Sequence, residues 1–248
     1  MIKITGLCKK LGAKQVLDGI DLEIATGETV VVLGPSGTGK SVLLKHILGL
    51  MPADAGTIEV DGENIVGLGE TALNQIRRRF GMLFQGAALF DSMTIAENVA
   101  TPLREHLELP EEEIQRLVSE RLDWVGLKDV EELKPSSLSG GMRKRVGLAR
   151  AIVMDPQFIL YDEPTTGLDP INAGVIDDLI RSMQKRLGVT SIVVTHDLPS
   201  AFKVGDRMAM LYGGKVVFSG TPEETKNTRN PYVRQFMDGS GTGPIKPV

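Results

Sequence analysis

Cysteine is nearly absent from this chain: Cys8 is the single one in 248 residues. An internal disulfide is therefore excluded, and the composition fits a reducing compartment. Long apolar runs are missing too. The longest are strand-length pieces such as VVVL, Val30 to Leu33, far short of the roughly eighteen residues that would cross a bilayer. The opening MIKITGLCKK lacks the extended apolar core of a secretory signal. Any role at a membrane is thus expected to run through a partner. There is no excess of positive charge either. The formal net charge is −4, which excludes a general attraction to nucleic acid or anionic lipid. Aromatic residues make up only 4%, and none interleaves the basic clusters Arg77–Arg79 and Arg143–Arg145. Those clusters read as solvated helix faces with an internal ion pair, and no direct nucleic-acid binding is expected.

What is present suits a folded enzyme-sized domain. With 42% hydrophobic and 24% charged residues, the chain has ample material for a core. Its length allows one large domain, or one domain with a subdomain. Short β-rich runs alternate with helical segments. MIKIT (Met1 to Thr5) and VLDGIDLEI (Val16 to Ile24) read as strands of an antiparallel region. ETVVVL, FILYDEP and SIVVTHD read as buried parallel strands, since their apolar runs do not alternate. GMLFQ (Gly81 to Gln85) is expected to be another strand, with Gln85 at its end. Helices are expected over Ser41–Leu50, Thr71–Arg78, Ser139–Met154 and Asn172–Leu187, and from Thr94 to about Leu127, with a start at Pro110. MAMLYGGKVVFSG reads as a hairpin turning at Gly213 and Gly214. The whole is an α/β core with a helical insert over about residues 86–153.

GPSGTGKS is the strongest signal: Gly34, Pro35, Ser36, Gly37, Thr38, Gly39, Lys40 and Ser41. It follows an expected strand and opens an expected helix, the setting of a phosphate-binding loop. Glycines let the backbone fold tightly so that amide groups point at a phosphate, and the helix N-terminus adds a favourable field. Lys40 would reach the β- and γ-phosphates, and the Ser41 hydroxyl would ligate Mg²⁺. FILYDEP supplies a second half, because its strand ends on Asp162 and Glu163. One carboxylate would serve the metal and the next would orient or deprotonate an attacking water. Clamp and base together point to an NTPase.

LSGGMRKR (Leu138 to Arg145), followed by a helix and then DEP, resembles the ATP-binding cassette family. The similarity covers nearly the whole chain. It implies an α/β P-loop NTPase fold, an ABC nucleotide-binding domain over residues 1–238. Such a domain has a RecA-like core, an antiparallel β-subdomain and a helical subdomain. The resemblance makes Gln85 the lid glutamine beside magnesium and the attacking water. Ser139, Gly140 and Gly141 become the signature that grips ATP held by a second subunit. It makes Asp162 the magnesium aspartate and Glu163 the catalytic glutamate. Asp169 lies in the dimer-facing loop, and His196 is the switch histidine on the γ-phosphate. The implied cofactors are ATP and Mg²⁺, and the implied assembly is a homodimer. One departure stands out. Where many members carry an aromatic residue that stacks on adenine, this chain has Leu11, with Val16 nearby. Leu11 gives apolar contact without ring stacking, which is commonly worth about 1 to 3 kcal/mol per base.

Two readings of different class follow from the resemblance: the motor of a membrane transporter, or a soluble cassette acting on DNA or ribosomes. A single compact cassette without coiled-coil heptads favours the transporter. MLFQGAALFDSMTIAENVATPLREH and VRQFMDGSGTGPI look like the ATPases of Mce-type lipid transporters, especially the Mla phospholipid system of Gram-negative bacteria. That likeness implies a peripheral subunit on the cytoplasmic face of the inner membrane, driving phospholipid transport that maintains outer-membrane lipid asymmetry. Its implied partners are an integral permease docking near residues 85–93, an Mce-domain lipid-binding protein and a small STAS-domain protein. An importer for another substrate is the alternative. In the permease socket, Ala87, Leu89, Phe90 and Met93 are the expected contacts. The composition of the Gly- and Pro-rich end, residues 239–248, reads as a disordered end. The resemblance implies instead an extended arm that reaches across the dimer to the neighbouring cassette or its STAS-domain partner, with Ile245 as its apolar anchor.

Overall fold

The computed structural model describes residues 1–246; the last two residues of the expected arm, 247 and 248, lie outside the described residues. The chain forms two compact units: Met1–Ile76 together with the chain from Thr190 onward, and Arg77–Val189.

In the first unit, β1 (Ile2–Leu11) pairs antiparallel with β2 (Lys14–Ile24), Ile2 opposite Ile24 and Ile4 opposite Leu22. Both strands run longer than their apolar alternation suggests. The cause is at Gly6, where φ of 59° and a register shift carry β1 past the point where the pattern breaks. β3 (Thr29–Leu33) is buried at all five positions, and α1 (Lys40–Ile47) follows it. β4 (Ala55–Val60) pairs with the other edge of β1, and β5 (Glu63–Asn64) pairs with β4. α2 (Glu70–Arg77) comes next in the chain.

The core strand β3 lies between two parallel neighbours, β8 (Thr190–Thr195) and β9 (Arg207–Tyr212), which accounts for its unbroken apolar run. β9 turns through Gly213 and Gly214 into β10 (Lys215–Gly220), as the hairpin pattern predicts. Three short helices complete this unit: α7 (Leu198–Val204), α8 (Pro222–Asn227) and α9 (Pro231–Asp238). The first two are too brief to leave a helical period in the sequence. They are held by their caps, Asp197 on Ser200 N–H and Thr221 on Glu224 N–H.

The described part of the C-terminal segment turns back on its own unit. The Gln235 side-chain amide donates to the carbonyls of Ser240 and Ile245 and accepts from Ile245 N–H at 2.7 Å. The Tyr212 hydroxyl donates to the Pro244 carbonyl and accepts from Lys246 N–H.

In the second unit, β6 (Phe80–Leu83) runs parallel to β7 (Phe158–Asp162), with the Phe80 and Phe158 rings stacked 4.8 Å apart. Gly81 permits close packing here, since a Cβ would fall 2.1 Å from the Ala151 carbonyl oxygen. The long helical stretch expected after Thr94 is two helices, α3 (Ile95–His106) and α4 (Glu111–Trp124). Thr94 and Glu97 form a reciprocal capping box at the start of α3. α5 (Gly140–Ile152) and α6 (Pro170–Leu187) complete the unit. Arg121 and Arg186 sit on the Trp124 ring, 3.9 and 4.2 Å from its centroid.

β6 stops at Leu83, two residues earlier than the sequence suggests. Ala87 N–H bonds to the Phe84 carbonyl and closes a turn in which Ala87 and Ala88 have φ of 61° and 48°. Gln85 therefore sits in a turn, exposed, and not at a strand end.

Candidate nucleotide site

The first unit carries the phosphate loop. It leaves the C-terminal end of β3 and enters α1, and its shape is dictated by glycine. A Cβ at Gly34 would lie 2.4 Å from the Leu211 carbonyl oxygen, and Gly37 and Gly39 take φ of 77° and 103°. Gly39 is the N-cap of α1 and makes no side-chain cap hydrogen bond, and a helix N-terminus of this kind favours an anion. Lys40 is 6% exposed, and its ammonium donates to the carbonyls of Gly34 at 2.7 Å and Pro35 at 3.1 Å. The Thr38 hydroxyl donates to Pro35 from within the loop, while Ser36 and Gly37 form its exposed crest. Ser41 is half-buried in the first turn of α1. A glycine-shaped loop, a held cation and a helix start fit the phosphates of a nucleotide.

β3 and β8 are in register with Leu33 opposite Thr195. Gly34 and His196 thus leave neighbouring parallel strands at the same level, which is where α/β sheets place their ligands. His196 is exposed, and the adjoining turn is fixed by Asp197 N–H on the Thr195 hydroxyl at 3.0 Å. Val16 is buried beneath the loop, its Cγ1 3.0 Å from where a Gly39 Cβ would lie. Leu11 is exposed at the end of β1.

The second unit carries the carboxylates and the signature. β7 ends on half-buried Asp162. Glu163 follows, 8% exposed, with φ of 49°, and its side chain accepts a hydrogen bond from the Thr166 hydroxyl at 3.0 Å. A left-handed glutamate is uncommon and costs of order 1–3 kcal/mol, a strain typical of functional sites. Ser139 is the N-cap of α5, accepting from Met142 N–H at 3.2 Å. Gly140 is exposed at the helix start, and Gly141 packs so close to Asn172 that a Cβ would come within 3.1 Å of its side-chain oxygen. Asp169 caps α6 through the N–H groups of Ile171 and Asn172 and receives the Asn172 amide. The Asn172 side-chain hydrogen bond, with those backbone donors, holds the Asp169 carboxyl below its usual range. Gln85, Gly140, Lys144, Thr166 and Leu168 line one cavity of about 190 Å³.

Oxygen donors suited to magnesium are present in Ser41, Gln85 and Asp162. Among the described residues there is no cluster of three or more carboxylate, His or Cys side chains that could cage a metal. Magnesium is commonly held through one or two carboxylates plus substrate phosphates and water, and hydroxyl, amide and carboxylate oxygens are each donors of the kind it takes.

The basic cluster on α5 corrects the expectation of a solvated face. Arg143 is exposed, but Lys144 is 5% exposed, and its ammonium donates to the carbonyls of Gln85 and Glu163. Arg145 bonds the Gly126 carbonyl. Arg150 bonds the carbonyls of Ala87 and Ala88, and burial pushes its pKa down. A run of three cations gives no sign of which one the helix turns inward, and that is why Lys144 escapes a reading of the sequence. The socket expectation also needs correction at Ala87, which is 1% exposed against Gly147, whereas Phe84 and Phe90 are 39% and 50% exposed. Asn98, fully buried on α3, fixes Phe90 by accepting from its N–H and donating to its carbonyl.

A glycine-shaped phosphate loop at the end of a parallel strand, with a capped signature helix and a strained glutamate, defines a P-loop nucleotide-hydrolysing cassette. The ABC transporter family profile matches residues 17–166, and the chain belongs to that family as one of its ATPase subunits. It is 45% identical over 98% of its length to a probable ribonucleotide transport ATP-binding protein, mkl, of Mycobacterium leprae, covering 70% of that protein. It is 41% identical over 99% of its length to the intermembrane phospholipid transport system ATP-binding protein MlaF of Haemophilus influenzae, covering 93% of it. A dimeric ATP-binding cassette in a post-hydrolysis state, bound to ADP and Pi, superposes with a TM-score of 0.83 at 33% identity, over 90% of this chain and 99% of that one.

Proposed function

We propose that this chain is the ATP-hydrolysing subunit of a phospholipid transporter, peripheral on the cytoplasmic face of a bacterial inner membrane. The observation that carries the ATPase half is the glycine-shaped loop between β3 and α1 that holds Lys40. Likeness to the phospholipid transport protein MlaF over nearly both full lengths supports the cargo. Two copies would act together, the phosphate loop of one facing Ser139, Gly140 and Gly141 of the other. Lys40 and the loop amides bind the β- and γ-phosphates and neutralise charge as it develops. Magnesium, when bound, would supply further charge neutralisation, with Ser41, Asp162 and Gln85 as its protein ligands. Glu163 orients and deprotonates the attacking water, and His196 contacts the γ-phosphate. Asp169 shapes the start of α6 at the dimer face. Leu11 and Val16 give apolar contact to the base.

Phe84 and Phe90 flank Gln85 and present apolar surface that an integral permease would cover. An Mce-domain protein and a STAS-domain protein are the further partners this reading names. A second reading, ribonucleotide transport, is favoured by the likeness to mkl. Reconstitution of the full chain with its membrane partner in proteoliposomes separates the two. The expected outcome is ATP-dependent transfer of labelled phospholipid, lost in Glu163→Gln, with no ribonucleotide uptake. Ribonucleotide uptake without lipid transfer would replace the phospholipid assignment.

A further inference from the structure

The elements around Gln85 and Glu163 converge on one stripe of α5. Lys144, Gly147 and Arg150 recur at three-residue spacing, so they climb a single side of the helix. At the bottom, the Lys144 ammonium reaches two backbone carbonyls from different segments, that of Gln85 and that of Glu163, the latter at 3.1 Å. In the middle, Gly147 leaves room for Ala87: a Cβ there would meet Ala87 at 3.1 Å and Leu83 at 2.9 Å. At the top, the Arg150 guanidinium takes the carbonyls of Ala87 and Ala88 at 2.6 and 2.8 Å.

Three residues fastened or reached by this stripe, Ala87, Ala88 and Glu163, sit at φ of 61°, 48° and 49°. Non-glycine residues hold such conformations only where surrounding contacts over-determine them. Here the over-determining contacts include the buried Lys144 ammonium and the half-buried Arg150 guanidinium. Hydrogen bonds from a charged donor to a carbonyl are among the stronger ones, and more so when water is excluded.

We propose that Lys144 is a positioning residue for hydrolysis, its one buried ammonium fixing the backbone of Gln85 to the backbone of Glu163. The inference rests on the roles proposed above for those two residues. Lys144 acts through main-chain atoms and sets the spacing between the group that senses the γ-phosphate and the group that activates the nucleophile. Burial pushes the Lys144 pKa down, while the carboxylates of Asp162 and Glu163 push it up and help retain its charge. Because the ammonium reaches main-chain oxygens, the link constrains where both side chains begin, whatever rotamers they take.

The test compares Lys144→Met, Lys144→Arg and Glu163→Gln in the full chain, measuring ATP affinity, KM, kcat and thermal midpoint. Methionine keeps the length of the side chain and removes the donors. The expected result for Lys144→Met is a kcat lower by about tenfold or more, equivalent to about 1.4 kcal/mol in the barrier, with ATP affinity and KM within about threefold of wild type. Lys144→Arg, which can still donate to both carbonyls, restores kcat to within about threefold. A Lys144→Met kcat equal to wild type overturns the inference. So does a parallel loss of affinity, thermal midpoint and kcat that arginine does not rescue, since that marks a general packing role. Glu163→Gln separates the two levels. If it is inactive while Lys144→Met is normal, only the positioning role fails; if it turns over at the wild-type rate, the assignment of the base fails and takes this inference with it.

Discussion

At the scale of single residues, Lys40 is the one cation of the glycine loop from Gly34 to Ser41. Lys40 is held over the Gly34 and Pro35 carbonyls. Lys40→Ala is expected to weaken ATP binding about tenfold to a hundredfold, the loss of charge-assisted hydrogen bonds worth about 1.5–3 kcal/mol. Equilibrium binding of a fluorescent ATP analogue measures it. His46, on the same helix, makes a separate prediction. Burial lowers its pKa from 6.5, with Lys9 nearby adding to the shift and the Val42 carbonyl and Asp54 opposing it. A folded-state pKa below the unfolded value means that protonation favours unfolding. The stabilisation is fully present above about pH 6.5 and disappears as pH falls through the folded value. Thermal midpoints measured from pH 7.5 to 5 should fall, and His46→Leu should flatten that slope.

At the scale of elements, the turn after β6 divides its residues by direction. Ala87 faces Gly147 and is buried, while Phe84 and Phe90 face outward. Phe84→Glu with Phe90→Glu should leave the thermal midpoint nearly unchanged, because exposed positions usually shift stability by no more than about 0.5 kcal/mol. The same double variant should lose co-purification with the membrane partner. Ala87→Glu should instead lower chemical stability by at least about 1–3 kcal/mol through overpacking and a buried charge. The element boundaries show how far local pattern reaches. β3 and β8 are legible as apolar runs because both faces are buried, and α6 is legible over Asn172–Leu187, though its start at Pro170 lies two residues earlier. The early end of β6 is not, since a turn of left-handed alanines has no propensity signature. It exists because Arg150 and Lys144, 59 or more residues away in sequence, take its carbonyls.

At the scale of the whole molecule, we propose that the C-terminal segment fastens one copy to another or to a partner protein. In the single chain its described residues rest on Gln235 and Tyr212 through contacts with main-chain atoms of 240–246. Such contacts hold a bent backbone with little regard for side chains. Removing residues 239–248 should leave the thermal midpoint of the cassette within a few degrees while shifting the dimer towards monomer in analytical ultracentrifugation. An unchanged dimer would confine the segment to its own chain.

The order of motifs, from Gly34 to His196, was enough to place this chain among P-loop ATPases, because those residue types constrain both the backbone geometry and the groups presented at strand ends. Glycine at 34, 37 and 39, a lysine after them and paired acids at the end of an apolar strand leave few other uses. The orientation of Lys144, the burial of Ala87 and the outward turn of Phe90 were decided only by folding. Each depends on which face of α5 or α3 meets the turn after β6, and that is settled by packing between segments far apart in the chain, where local periodicity carries no information.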